Sequence, residues 1–539
     1  MNLSEKITKL RKEKSLSQEA FAEKLGVSRQ SVSKWETGSA LPDTDKIVAM
    51  SELFGVTADY LLKDDYPEEQ EHASDPEPIQ EEPVSEEPTP PVNTDETVVY
   101  EQAAEPKNKK RKVFPKIIAI ILVVLIAASA MIIPTFSDKI KNYWWELNGG
   151  KVEYPFVLVH GLGGWGEGNS INEIAQYWGG GNLDLKQVLE SKGFEVHTPS
   201  VGPVSSTWDR ACELYAQITG TRVDYGEAHS KEHNHSRYGK TYTEPLVANW
   251  GKKTNGGQSI KINLVGHSFG GATVRLFTYL LEYGNEAEMK ATGNETSPFF
   301  TGGKGSDVYS VTTLCAPHNG SSLTEVLNSL GTTLGVGNTT DMLMTLCFGV
   351  AGIANPVEGV YDFGLDHFGI KAGDAKSAID AVLSSGNDHA AYDLSPDGAA
   401  ELNKTMGTVD DVYYFSYAYS TTQKGKITGK QTPIKSTLAI LYPFALAMGN
   451  YTGTTAGGIV LDSAWQENDG LVNVVSARYP FGDEFTEMPE NPENAERGIW
   501  NVAATREGDH GKVIGLNSKA KPTQEFFIDH FTFINTLER

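Results

Sequence analysis

Cysteine is scarce. The 539 residues contain three, Cys212, Cys315 and Cys347, far apart and without metal-like spacing. That excludes a disulfide framework and a thiolate zinc site, and leaves the three as small buried apolar side chains. No internal repeat is evident, which removes repeat architectures. Positive charge is in deficit, 46 Lys and Arg against 70 Asp and Glu, for a net charge of −24. Spread evenly, this balance would argue against nucleic-acid affinity, but much of the acid sits in one segment, so charge has to be read segment by segment. From 65 to 106 large apolar residues are nearly missing and Glu, Pro, Ser and Thr dominate. Such a composition cannot bury enough surface to offset the entropy of ordering, and predicts a disordered, self-repelling linker. The length exceeds one ordinary core, so two or more folded units are expected.

Residues 117–136 lack charge altogether and consist mostly of Ile, Leu, Val and Ala. A run of about 20 such residues can cross a bilayer as a helix. A buried core helix is shorter as a rule, and a cleaved signal peptide would begin the chain. The segment before it, 107–116, carries Lys107-Asn108-Lys109-Lys110-Arg111-Lys112. Such a run also fits nuclear localisation or phosphate binding, but beside a spanning helix the positive-inside preference accounts for it. The expectation is a single-pass protein of the cell membrane, with a cytoplasmic N-terminus and everything after Lys139 extracellular.

The part from 150 to 539 alternates β-rich apolar runs with helical stretches and glycine turns, the pattern of an α/β fold. Within it, Ile260-Lys261-Ile262-Asn263-Leu264-Val265 reads as a strand running into Gly266-His267-Ser268-Phe269-Gly270-Gly271, after which 272–281 reads as a helix. This is the strand, elbow and helix context that G-x-S-x-G requires of a serine nucleophile. Earlier, Phe156-Val157-Leu158-Val159 leads into His160-Gly161-Leu162-Gly163-Gly164-Trp165. A glycine-rich turn there can present a backbone N–H to an oxyanion, and the amides of Leu162 and Phe269 are the candidates. A neutral serine hydroxyl needs a histidine base and an orienting carboxylate further along the chain. Asp469, in Glu467-Asn468-Asp469-Gly470, and His510, in Asp509-His510-Gly511, are the choices. By spacing alone, His389 or His530 could equally serve as the base.

At these residues the chain resembles the secreted lipases of staphylococci and thermophilic Geobacillus, α/β-hydrolases, from about Tyr154 to the C-terminal helix. Tyr177-Trp178-Gly179-Gly180, Trp208-Asp209-Arg210-Ala211-Cys212-Glu213 and Val223-Asp224-Tyr225-Gly226 look like family signatures in family order. The resemblance implies a carboxylic ester hydrolase, a triacylglycerol lipase or carboxylesterase acting on lipid or ester, with Ser268, Asp469 and His510 as its triad. It also implies a structural zinc ion held by Asp209, His229, His235 and Asp388, a closed set with no place for substrate. Composition alone leaves the histidines of 227–236 as a solvated loop. At the family's calcium site carboxylates are expected two and seven residues after the histidine. Lys512 and Asn517 stand there instead, so calcium is expected to be lost. Residues 322–368 fall where these lipases carry a mobile helical lid, and fit a buried core helix equally.

The first 64 residues show helical spacing broken by short turns. Ser17 can cap a helix over 18–25, Gly26-Val27 turns, and a second helix follows Ser28, with Val32 and Trp35 facing the core. Arg29, Gln30, Ser31, Ser33 and Lys34 are then left facing outward, able to meet base edges or phosphates. The region resembles the Cro and phage-repressor helix-turn-helix domain, which implies DNA as a partner, Gln18 at a position that contacts the DNA backbone, and a homodimer through this domain. The expected fold class is thus multidomain: an all-α helix-turn-helix domain, a single transmembrane helix and an α/β-hydrolase ectodomain. Two other uses remain open, a transmembrane regulator whose hydrolase-like part senses lipid or ester, and a helix-turn-helix used for protein contact.

Overall fold

The computed structural model describes residues 3–56 except 15, 26, 28, 37–41, 43 and 55, and residues 153–539 except 182, 255–256, 335–361, 370–384, 427–428 and 517. In the first unit, α1 (Leu3–Glu13), α2 (Gln18–Leu25), α3 (Arg29–Glu36) and α4 (Thr44–Phe54) enclose a small core. Ile7, Phe21, Val32 and Met50 are fully buried at its centre, with Trp35 beside them. The Ser17 hydroxyl accepts the Ala20 amide at 3.1 Å and caps α2, as its position in the sequence predicts. A partly buried polar clasp joins three of the helices. Glu36 accepts from Arg11 Nε at 2.5 Å and from Gln18 Nε2 at 2.7 Å. Burial pushes the Glu36 pKa up, but those two partners outweigh it and hold it below the usual value.

The larger unit is organised by seven strands, β1 (Phe156–Val159), β2 (Val196–His197), β3 (Ile262–His267), β4 (Val308–Leu314), β5 (Tyr413–Tyr417), β6 (Phe485–Glu487) and β7 (Trp500–Val502). They form one sheet in the order β6-β7-β5-β4-β3-β1-β2, with every neighbouring pair parallel. Such a sheet must be covered on both faces, because parallel strands need crossover connections that pack on it. Successive side chains therefore enter opposite cores. Val157 and Val159 join one with α5 (Thr207–Thr219) and α6 (Phe269–Tyr283), while Phe156 and Leu158 join the other. The second face is closed by α8 (Ala520–Thr536), which inserts Phe527, Phe531 and Ile534. Between them in the chain, α7 (Ser322–Leu334) buries Leu323 and Leu327 against Met448.

The membrane assignment is corrected. Among the described residues no helix is long and apolar enough to cross a membrane. The longest of them, α8 at 17 residues, carries Lys521, Glu525 and Asp529, because it covers a sheet with one face and meets water with the other. The single transmembrane helix called at 117–136 lies outside the described residues and is not supported. The cell-membrane location, the cytoplasmic N-terminus, the extracellular hydrolase domain and the membrane as partner fall with it. The linker at 65–106 and the basic stretch 107–116 also lie outside the described residues, as does most of 322–368, read from sequence as either a lid or a buried core helix.

Candidate active site

The strand β3 delivers Ser268 to the top of the sheet, and α6 starts at the next residue. Its backbone stands at φ 55° and ψ −127°, a conformation that costs a non-glycine residue about 1–3 kcal/mol and is retained only where the surroundings enforce it. The enforcement is visible. The Ser268 amide donates to the Leu314 carbonyl at 2.8 Å, and the flanking backbone is packed against β1. A Cβ at Gly270 would stand 2.2 Å from the Val159 carbonyl oxygen. Gly270→Ala is accordingly expected to destabilise the domain by about 1–3 kcal/mol, because the obstacle is backbone. A lowered midpoint in urea unfolding checks this, and a midpoint equal to wild type would contradict it.

The turn after β1 lies directly against the serine, since a Cβ on Gly161 would come within 3.1 Å of Ser268 Oγ. Neither the Leu162 nor the Phe269 amide has a backbone acceptor among the described residues. Leu162 lines the same cavity as Ser268, and Phe269 is the first residue of α6, where the helix N-terminus favours negative charge.

Asp469 and His510, 41 residues apart, are brought together. His510 Nδ1 lies 2.8 Å from Asp469 Oδ2, and the His510 amide donates to the Asp469 carbonyl at 2.9 Å. The other carboxylate oxygen accepts the amides of Leu471 and Val472 at 2.9 and 2.7 Å, so the carboxylate is held from both sides in a fully buried position. The Cys315 thiol lies within 4.8 Å of the Asp469 carboxylate and the His510 ring, and burial, with that carboxylate beside it, drives its pKa well above the ordinary value. Cys315 is therefore buried, as expected, but not as a mere apolar filler. The two alternative histidines go elsewhere. His530 sits between Thr312 Oγ1 and Tyr417 Oη at 2.8 and 2.9 Å, and His389 accepts the Tyr392 amide at 3.2 Å.

Ser268 and His510 open onto a cavity of about 230 Å³ whose wall includes Leu162, Leu323, Leu394, Leu441, Leu471 and Ile514. This apolar lining around a hydroxyl and an imidazole suits an ester with a hydrocarbon arm.

A second cluster is formed by Asp209, His229, His235 and Asp388, whose ligand atoms all lie within 4.8 Å of one another. His229 Nε2 is 3.2 Å from Asp209 Oδ1 and 3.5 Å from Asp388 Oδ1. Burial disfavours a charged His229 ring, but the two carboxylates win and raise its pKa to about 10. His235 Nε2 and Asp388 Oδ2 approach to 3.5 Å, yet both are buried without a hydrogen-bond partner. A shared cation would satisfy both atoms, and two imidazoles with two carboxylates are a donor set that zinc accepts. Lys512, which stands where the resemblance expects a calcium-binding carboxylate, donates its Nζ to the Glu507 carbonyl at 3.0 Å. Asn517 lies outside the described residues.

In the N-terminal unit, α3 carries Arg29, Gln30, Ser31, Ser33 and Lys34. Arg29 and Lys34 are exposed, and Ser31 and Ser33 are half-buried. Arg29 stands 4.0 Å from Glu19, an exposed pair of little energetic weight. Gln18 spends its amide on Glu36 rather than pointing it outward.

The family model described as "Lipase-like, C-terminal domain" matches residues 152–537. The chain belongs to this family. A helix-turn-helix model matches residues 7–61. The lipase-like domain is similar to EstA from Clostridium botulinum, with 35% identity and a TM-score of 0.63 over 72% of this chain and 88% of that one. Lipase 1 from Pelosinus fermentans shows 36% identity and a TM-score of 0.61 over 72% of this chain and 100% of its own. A lipase from Staphylococcus epidermidis is 36% identical over 375 residues, 68% of this chain and 50% of the relative. The chain thus spans about half the length of the curated staphylococcal lipases it matches.

Two residues of the lipase-like domain fall in segments that follow the family pattern, but sequence reasoning assigned them no role. Arg210, fully buried, donates to the carbonyls of His160 and Gly202 at 2.5 and 2.7 Å and stands over the Phe269 ring, so it ties the turn after β1 to the start of α6. His367 places Nε2 3.1 Å from Asp209 Oδ2, on the side away from His229. Its partner is 158 residues distant, so local spacing could not announce the pairing.

Proposed function

We propose that the lipase-like domain is a carboxylic ester hydrolase of the lipase or carboxylesterase type, with Ser268 as nucleophile, His510 as base and Asp469 as the orienting carboxylate. The observation that carries this reading is the combination of a strained Ser268 at the elbow with a buried His510–Asp469 pair opening on one apolar cavity. His510 Nε2 removes the Ser268 hydroxyl proton as Oγ attacks the ester carbonyl carbon. The resulting alkoxide is received by the N–H groups of Leu162 and Phe269. Collapse breaks the ester C–O bond, and the imidazolium returns its proton to the leaving alcohol. Water then repeats the sequence on the acyl-serine, releasing the acid. Throughout, Nδ1–H of His510 donates to Asp469, which fixes the tautomer and stabilises the charged ring.

The relatives' names support acyl esters as substrates, and the leucine-lined cavity supports a hydrocarbon acyl arm. The test is turnover of p-nitrophenyl acetate, octanoate and palmitate by the purified chain. Saturable hydrolysis of at least one is expected, and turnover of none would sink the reading.

For the second cluster we infer a zinc ion held by Asp209, His229, His235 and Asp388. Four protein ligands would leave no open position, so the ion would supply rigidity to the stretch around Glu227–His233 and take no part in ester chemistry. His367 would orient Asp209 from behind.

For the N-terminal module we infer DNA binding through α3, supported by the helix-turn-helix match and by exposed Arg29 and Lys34 on one helix. Arg29→Ala and Lys34→Ala should each weaken binding to genomic fragments across sequences and reduce the salt slope by about 1 for each phosphate contact removed. Retardation assays over a salt series measure this. Unchanged binding in both variants would favour protein contact as the module's role.

A further inference from the structure

Three loops must hold still for the chemistry proposed above: the turn carrying Leu162, the elbow carrying Ser268 and the loop carrying His510. A single line of hydrogen bonds runs through all of them. The Gly161 amide donates to Tyr177 Oη at 3.0 Å, Tyr177 Oη lies 2.6 Å from His267 Nδ1, and His267 Nε2 lies 3.0 Å from the His510 carbonyl oxygen.

One proton arrangement satisfies all three. The His510 carbonyl can only accept, so His267 Nε2 carries a hydrogen. Burial, reinforced by the neighbouring His510 ring, holds the His267 pKa well below its ordinary value, so the ring is neutral and Nδ1 is an acceptor. The Tyr177 hydroxyl must then donate to Nδ1, which leaves its oxygen to accept from Gly161.

The turn is fixed from its other side as well. His160 Nδ1 lies 2.9 Å from the Gly161 carbonyl oxygen, while His160 Nε2 accepts the Val201 amide at 3.1 Å, so Nδ1 is the donor. The Gly164 amide also donates to that oxygen, at 3.1 Å. In a trans peptide the Leu162 N–H points opposite the Gly161 C=O, so anchoring that oxygen aims the Leu162 N–H.

We propose that Tyr177 and His267 are positioning residues for ester hydrolysis, a hydrogen-bonded strut that sets the Leu162 amide, Ser268 and His510 in register. The inference rests on the hydrolase reading. Neither side chain exchanges a proton with substrate. Their contribution is geometric, and a displacement near 1 Å at such a site costs on the order of a hundredfold in rate.

The test uses the full chain and compares Tyr177→Phe, His267→Phe and His267→Gln with wild type and Ser268→Ala. Tyr177→Phe keeps the ring and loses both hydrogen bonds; kcat should fall by about tenfold or more with KM changed less than twofold. His267→Phe should lose about a hundredfold in kcat. His267→Gln, whose amide nitrogen can still donate to the His510 carbonyl, should recover part of that loss. Wild-type kcat in Tyr177→Phe and His267→Phe, or a loss confined to KM, overturns the strut while an inactive Ser268→Ala leaves the hydrolase reading intact. Wild type no more active than Ser268→Ala overturns both. Should the variants fold poorly, nitrogen-15 spectra of the wild-type imidazoles at pH 7 decide: His267 as a neutral ring with its proton on Nε2 supports the strut, and a proton on Nδ1 or on both nitrogens overturns it.

Discussion

Ser268→Ala is expected to reduce ester turnover by roughly 10⁴- to 10⁶-fold while leaving the folded domain in place. The size follows from the division of labour at the site. In the proposed mechanism Ser268 supplies the hydroxyl, held at a strained elbow in the wall of the apolar cavity, and the Leu162 and Phe269 amides can assist only a bond that the serine has begun to form. His510→Ala should cost a comparable factor, because the unassisted hydroxyl is a poor nucleophile, and the double variant should cost little more than either alone. Asp469→Asn should cost less but act in the same chain, since its Oδ2 meets His510 Nδ1 at 2.8 Å. Substitution also has a stability side. Ser268 pays a backbone penalty of about 1–3 kcal/mol that alanine pays equally, so Tm is expected to stay within a few degrees. A variant that retains a tenth of wild-type turnover would move the nucleophile elsewhere.

The second large effect concerns metal. Elemental analysis of the purified chain should find about one zinc ion per molecule, and His229→Ala or Asp388→Ala should lose it. The reasoning is electrostatic. Two carboxylates, Asp209 and Asp388, are buried within reach of two imidazoles, and His235 Nε2 and Asp388 Oδ2 have no hydrogen-bond partner. Without a cation, the cluster relies on a protonated His229, raised to about 10 by its carboxylate neighbours against the cost of burial. A divalent ion would replace that proton and satisfy the orphaned atoms too. An ion present at a thousand times its Kd adds about 4 kcal/mol of stability, several degrees in Tm for a domain of this size. Chelation should therefore lower Tm before it lowers turnover at moderate temperature. A metal-free protein with an unchanged Tm after chelation would refute the assignment.

The parts of the molecule that were legible in the sequence are those whose signal is local. The elbow announces itself because a strand, Gly266, Ser268, Gly270 and a helix must follow one another within a few residues. In the N-terminal module, the Ser17 cap and the buried pair Val32 and Trp35 are spaced by one helix's own geometry. The contact between Asp469 and His510 was reachable because the order of residues in the proposed triad is constrained, although the sequence left His389 and His530 open until the fold sent both elsewhere. What stayed hidden is long-range. Tyr177 meets His267 across 90 residues, Arg210 reaches back 50 to His160, and Cys315 lies against Asp469 only because β4 ends there. The membrane helix shows the opposite failure. An uncharged run and a basic neighbour made a persuasive local pattern at 117–136, yet no described helix has the length or the apolar surface that crossing a bilayer demands.

Covalent capture is the most direct test of the central claim. The chain should be treated with a fluorophosphonate, which reacts with a serine only where a neighbouring base and an oxyanion site activate it, then digested and weighed by mass spectrometry. One adduct per chain is predicted, on the peptide carrying Ser268, with turnover lost in proportion to labelling. No adduct, or an adduct on another serine with ester hydrolysis intact, would contradict the account.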